Sequence, residues 1–148
     1  MPMFGPVIYV EDEPDDAFFM KRAFAQCAPE VELKIFTDGH EAIRFFVEEL
    51  EPLQEQEYKS GLVLLDLNLP GRSGLDVLRE IRSKPLLRQL PVIMYTSSNL
   101  TVDIVEAYRR GCSAYLVKPH SPEKLREMVS AMSEFWIRDN KYPPLLGD

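Results

Sequence analysis

Apolar residues recur along the chain in two rhythms, short runs and helical stripes, and their alternation sets out the fold. Val7 to Val10 form a short apolar run that ends in Glu11, Asp12 and Glu13 before Pro14. Ala17, Met20, Phe24 and Cys27 follow at steps of three and four, one face of a helix that stops near Pro29. Val31, Leu33 and Ile35 alternate with Glu32 and Lys34, the pattern of a half-buried strand near a sheet edge. Asp38 and Gly39 turn the chain into a second helix with Ala42, Ile43, Phe46 and Leu50 inward. The acidic, aperiodic stretch from Glu51 to Gly61 reads as an exposed connection.

Leu62 to Leu65 then run unbroken into a single carboxylate, Asp66, and Asn68, Pro70 and Gly71 break the chain. Such a run predicts a strand covered on both faces that surfaces at Asp66. Leu75, Leu78 and Ile81 give a third helical stripe, and Pro85 and Pro91 bracket a linker into a strand from Val92 to Tyr95, closed by Thr96, Ser97 and Ser98. A fourth helix through Ile104, Ala107 and Tyr108 ends at Gly111, a natural C-terminal cap. Ala114 to Val117 form the fifth strand, ending in Lys118 and Pro119. The last helix starts near Ser121 and Pro122 and turns Leu125, Met128, Val129, Met132 and Phe135 inward. Five strands alternating with five helices demand an α/β fold: a doubly wound parallel sheet with right-handed crossovers and helices on both faces.

Composition narrows the function. The 148 residues suit one domain, at 45% hydrophobic and 28% charged, with no apolar segment near the roughly 20 residues that span a bilayer. The N-terminus lacks the charged-then-apolar order of a secretion signal, so a cytoplasmic location and no membrane partner are expected. A net charge of −7, with 17 scattered Lys and Arg, argues against nucleic acid as the partner. Cys27 and Cys112 lack metal-ligand spacing and read as reduced packing thiols, and His40 and His120, flanked by turn residues, read as surface side chains.

Four strand ends carry groups able to handle phosphate or a divalent cation: Glu11, Asp12 and Glu13, then Asp66, then Thr96 and Ser97, then Lys118. In a parallel sheet these ends share one edge, where open α/β sheets bind ligands. Each has an ordinary role as well. The acids suit a helix N-terminus, the hydroxyls a helix cap, and the lysine a solvated surface. Their convergence favours one shared site. Two or three carboxylates with a carbonyl form a hard oxygen cage for Mg²⁺ and lack the His and Cys of a zinc site. One carboxylate can attack phosphorus to give an acyl phosphate, with Lys118, the Thr96 hydroxyl and a Ser97 amide stabilising the phosphoryl oxygens. No Gly-rich nucleotide loop is present, so the donor is another protein or a small molecule.

VIYVEDE, LVLLDLNLPGRSG, PVIMYTSS and GCSAYLVKP, in that order over almost the whole chain, resemble the receiver domain of two-component response regulators. The resemblance implies a flavodoxin-like sheet in the order 2-1-3-4-5, with a receiver over residues 1–140 and a short tail over 141–148. It implies that Asp66 accepts phosphate from a histidine kinase. Mg²⁺ would be bound by Asp12, Asp66 and the Asn68 carbonyl, with Glu11, where the family usually has Asp, acting directly or through water. Thr96 and Tyr115 match the family's switch hydroxyl and aromatic, Lys118 its lysine, and Asn68 and Ser98 the flanks that tune hydrolysis. The protein would then be a phosphoacceptor and not a classical enzyme.

No output domain is expected after the fifth helix, and signalling by protein contact is expected instead. The ending SEFWIRDNKYPPLL resembles regulators paired with phytochrome kinases. Phe135, Trp136, Tyr142, Leu145 and Leu146 would make either a homodimer patch or a helix end folded onto its own core. Two alternatives stand beside this: a haloacid dehalogenase-type aspartyl phosphatase or phosphotransferase, and a phosphate sink in a phosphorelay. The first typically needs a second Asp two residues after the nucleophile, on the first strand. Here that residue is Asn68 and the strand is the third.

Overall fold

A computed structural model describes residues 5–50, 61–85 and 87–142, with the Leu50 side chain outside the description. The expected connection over 51–60 and the apolar Leu145 and Leu146 fall outside these residues. The elements run β1 (Val7–Val10), α1 (Pro14–Cys27), β2 (Leu33–Phe36), α2 (Gly39–Phe45), β3 (Leu62–Leu65), α3 (Gly74–Ser83), β4 (Val92–Thr96), α4 (Thr101–Arg109), β5 (Ala114–Val117) and α5 (Pro122–Met132). The five strands are parallel in the order β2-β1-β3-β4-β5, as expected.

Side-chain alternation divides the core into two layers. Val7, Tyr9, Leu62, Leu64, Ile93 and Tyr95 face α1 and α5, packing against Met20, Phe24, Leu125 and Val129. Ile8, Val10, Val63, Leu65 and Met94 face the opposite way, onto Ala42, Phe46, Val77, Leu78, Ile81 and Ala107 of the other three helices. All the residues of β1, β3 and β4 are buried, which is why their sequences read as continuous apolar runs.

Caps fix the helix starts. The side chains of Asp38, Ser73 and Ser121 accept backbone N–H groups at the starts of α2, α3 and α5. Gly111, at φ +99°, ends α4 in the left-handed conformation that glycine tolerates. The Arg82 guanidinium staples three segments, donating to the carbonyls of Gly111 (2.8 Å), Leu90 (2.7 Å) and Arg88 (3.1 Å).

Several details depart from the periodic pattern. Edge strand β2 starts at Leu33, after Val31, and shows no alternation of burial. The Lys34 ammonium lies 5.2 Å over the Phe45 ring, so its face is covered too. Helices α2 and α5 continue into wider π-type turns, Phe46–Leu50 and Ser133–Asp139. Phe135, expected inward, is 52% exposed, and Tyr108 on α4 is 51% exposed. α4 buries fully only Ala107, so Tyr108 lies at the rim of a narrow stripe. In the π-type turn it is Trp136 and Ile137 that pack on the core.

Candidate functional site

The carboxyl ends of the strands that carry the site are tied together by the sheet itself. The Asp66 amide donates to the Val10 carbonyl at 3.3 Å, and the Lys118 amide to the Thr96 carbonyl at 2.8 Å. Strand parity then sorts the side chains. Glu11 continues the face of Tyr9, Asp66 that of Leu64 and Lys118 that of Leu116, all towards α1 and α5. Thr96 continues the face of Met94, and Tyr115 packs on the same opposite layer.

The ionic half is centred on Lys118. Its ammonium lies 2.7 Å from Glu11 Oε1, 2.8 Å from Asp66 Oδ2 and 2.7 Å from Asp16 Oδ2 in the first turn of α1. These three carboxylates can take all three of its N–H donors. It also lies 5.8 Å from the centre of the Tyr95 ring. Burial alone would lower the Lys118 pKa, but the bonds to Asp16, Asp66 and Glu11 outweigh it and raise the pKa above the usual lysine range. Glu11 is buried, with Oε1 also accepting the Tyr9 hydroxyl at 2.9 Å and Oε2 the Glu13 amide at 3.2 Å. Its removal from water pushes the Glu11 carboxyl up to about 7, against the pull of Lys118. Burial likewise raises Tyr9 and Tyr95, so both stay protonated donors.

The hydroxyl half is poised differently. Thr96 is fully buried and its Oγ1 has no hydrogen-bond partner among the described residues. Such an orphan hydroxyl costs stability unless something else supplies a partner. Tyr115 is half-buried and its hydroxyl donates to the Ser98 carbonyl at 2.9 Å. The Ser98 hydroxyl bonds Asp103 and accepts the Leu100 amide, so it braces the entry to α4. Ser97 is exposed.

The donor set suits a hard cation. Asp66 is buried, yet its Oδ1 accepts only a 3.3 Å bond from the Asn68 amide, and exposed Asp12 has no side-chain partner among the described residues. No group of three or more His, Cys, Asp or Glu side chains among the described residues is disposed as a metal cluster. An Mg²⁺ site built from two carboxylates, a carbonyl and waters does not require one. Gly74, at the start of α3, holds this loop in place. Its amide donates to the Leu67 carbonyl at 2.9 Å, and a Cβ there would fall 2.0 Å from the Asp66 carbonyl oxygen.

Residues 7–130 match the response regulator receiver domain family. The chain belongs to that family. Response regulator Rcp1 of Synechocystis sp. is 31% identical over 137 residues, which cover 93% of this chain and 92% of Rcp1. The structure of a phosphorylated cyanobacterial phytochrome response regulator, RcpA, superposes with a TM-score of 0.83 at 30% identity, covering 95% of this chain and 99% of that one. The Mn²⁺-bound form of Rcp1 gives 0.78 at 30% identity, covering 94% and 99%. As a receiver, the protein is a signalling component of a two-component system, and regulators of phytochrome systems are among its relatives. The haloacid dehalogenase reading has no support from this family membership.

Of the residues singled out in the sequence, Glu11, Asp66 and Lys118 touch, and Thr96 ends the neighbouring strand β4 on the opposite face of the sheet. Asp16, Tyr9 and Tyr95 were not singled out: strand parity places Tyr9 on the face of Glu11 and Tyr95 on the face opposite Thr96, whereas nothing local in the sequence points to Asp16. His40 and His120 are exposed, and both thiols are free, Cys112 being buried. Phe135 meets Trp136 edge-on at 5.0 Å, and the Tyr142 hydroxyl donates to the Trp136 carbonyl at 2.6 Å. Trp136 thus folds back onto the core, while Phe135 faces outward. No helix among the described residues is long and apolar enough to cross a membrane.

Proposed function

We propose that Asp66 accepts a phosphoryl group from a phosphohistidine of a partner kinase and that the phosphorylated protein signals by contact. A carboxylate oxygen of Asp66 attacks phosphorus as the P–N bond to the donor imidazole breaks. The electron pair stays on the ring nitrogen, which then takes up a proton. The observation that carries this reading is the Lys118 ammonium 2.8 Å from Asp66 Oδ2, on the sheet edge where buried Thr96 holds an unpartnered hydroxyl.

Asp12, Asp66 and the Asn68 carbonyl would hold Mg²⁺, with Glu11 acting through water because its own oxygens already accept three donors. The cation would neutralise charge developing on the phosphoryl oxygens. Lys118 and the Ser97 amide bind those oxygens, and Thr96 donates its hydroxyl to one of them. That movement biases Tyr115 and the α4 entry, the two-state surface. Asn68, exposed beside the acceptor, tunes hydrolysis, whereas the bond to Asp103 makes Ser98 the weaker candidate for that role.

The likeness to Rcp1 and RcpA supports a phytochrome-type kinase as donor. Exposed Phe135 supports a homodimer contact. Incubation with acetyl phosphate and Mg²⁺ should add one phosphoryl group by intact mass, and Asp66→Asn should add none. Equal labelling of that variant would refute the assignment. Phosphotransfer profiling across candidate kinases tests the donor, and light scattering with and without phosphorylation tests the dimer.

A further inference from the structure

Asp16 stands outside the residues assigned above, yet its Oδ2 is as close to the Lys118 ammonium as the nearest site carboxylate, at 2.7 Å. It comes from α1, 102 residues away in the chain, and is about one-third exposed, while Glu11 and Asp66 are buried. Lys118 has three N–H donors and three carboxylates within bonding distance. A phosphoryl oxygen arriving at Asp66 must therefore take a donor that is already in use.

The three bonds are not equally easy to release. Glu11 is locked by the Tyr9 hydroxyl and the Glu13 amide, and the Asp66 oxygens are occupied in the reaction. Asp16 can instead turn to water, because it lines the wall of a cavity of about 280 Å³ with Phe19, Tyr95, His120 and Ser121. We infer that Asp16 is a positioning residue that restrains Lys118 on the α1 side, and that its release sets the rate at which Asp66 is phosphorylated. The inference rests on the phosphoacceptor role of Asp66.

Asp15 supplies the control. It is the neighbouring acid in the same helical turn, it is exposed, and it forms no hydrogen bond or ion pair with Lys118, so neutralising it removes equal charge without freeing the ammonium. Labelling of the full chain by acetyl phosphate and Mg²⁺ is followed by intact mass over time. Asp16→Asn should accelerate labelling by about threefold or more, the range of a partly exposed ion pair. Asp16→Glu, which keeps the carboxylate, should stay near the wild-type rate. Asp15→Asn should change the rate by less than about twofold, since an exposed charge is screened.

An unchanged or slower rate in Asp16→Asn overturns the inference, and so does equal acceleration by Asp15→Asn, which would assign the effect to charge alone. Acceleration by Asp16→Glu as large as by Asp16→Asn overturns it as well. A wild-type chain that takes up no phosphoryl group overturns the reading of Asp66 and this inference with it. Labelling that is intact but indifferent to Asp16 overturns the inference alone.

Discussion

The Tyr9 hydroxyl reaches forward along its own strand and donates to Glu11 Oε1 at 2.9 Å, from a site where both side chains are buried. Two residues apart on one strand face, they form a pair that supports Lys118 from below. Tyr9→Phe keeps the ring in its packing and removes only this bond. A buried hydrogen bond to a charged group is worth about 1.5–3 kcal/mol, so the variant should unfold at lower urea concentration by that amount with an unchanged m-value.

Glu11 also imposes a pH dependence. Its carboxyl is raised from 4.5 to about 7, chiefly by burial, so between those values the folded chain holds a proton that the unfolded chain has released. The contribution is fully present below pH 4.5 and is lost as pH rises through about 7. It amounts to no more than about 3–4 kcal/mol for a shift of this size. Denaturation of the chelator-treated protein across this window should show that fall, and Glu11→Gln should flatten it.

Thr96 separates stability from signalling. Its hydroxyl has no partner among the described residues, so Thr96→Val, which keeps the shape, should leave the unmodified chain as stable or raise its stability by about 1 kcal/mol. Labelling of Asp66 should survive, whereas the change in hydrogen exchange around Tyr115 and α4 on phosphorylation should be lost.

Gly74 should tolerate no side chain. A Cβ 2.0 Å from the Asp66 carbonyl oxygen forces the acceptor loop to move, so Gly74→Ala should cost about 1–3 kcal/mol and slow labelling by acetyl phosphate. Both are measurable on the same preparation, by thermal denaturation and by intact mass.

Arg82 offers a test away from the site. Its side chain bonds three backbone carbonyls across α3, the linker into β4 and the turn after α4. Arg82→Met keeps much of the stem and strips those donors, which should lower stability by about 2–3 kcal/mol with Mg²⁺-dependent labelling retained.

The five strands and the edge that carries the candidate site were legible because buried parallel strands write themselves as apolar runs, and polar residues such as Asp66 and Lys118 appear where those runs surface, whereas the sheet order came from the family resemblance alone. The partnership around Lys118 was less legible. Asp16 looks like any acid favoured at a helix N-terminus, and nothing local shows that α1 brings it 2.7 Å from a lysine on β5's far end. Tyr9 reads as an ordinary core aromatic until Glu11 is known to lie on the same face. The inward placement of Phe135 failed for a geometric reason: the helical period assumed for it ends where the π-type turn begins at Ser133.

Strand parity puts the carboxylates and the lysine on one side of the sheet and the threonine and Tyr115 on the other. Under the proposed function the sheet would separate the groups that take the phosphoryl group from those that announce it, with Thr96 alone reaching across its edge. A donor that docked on α1 and a listener that docked on α4 would then not compete for the same ground, and the two surfaces could diverge separately.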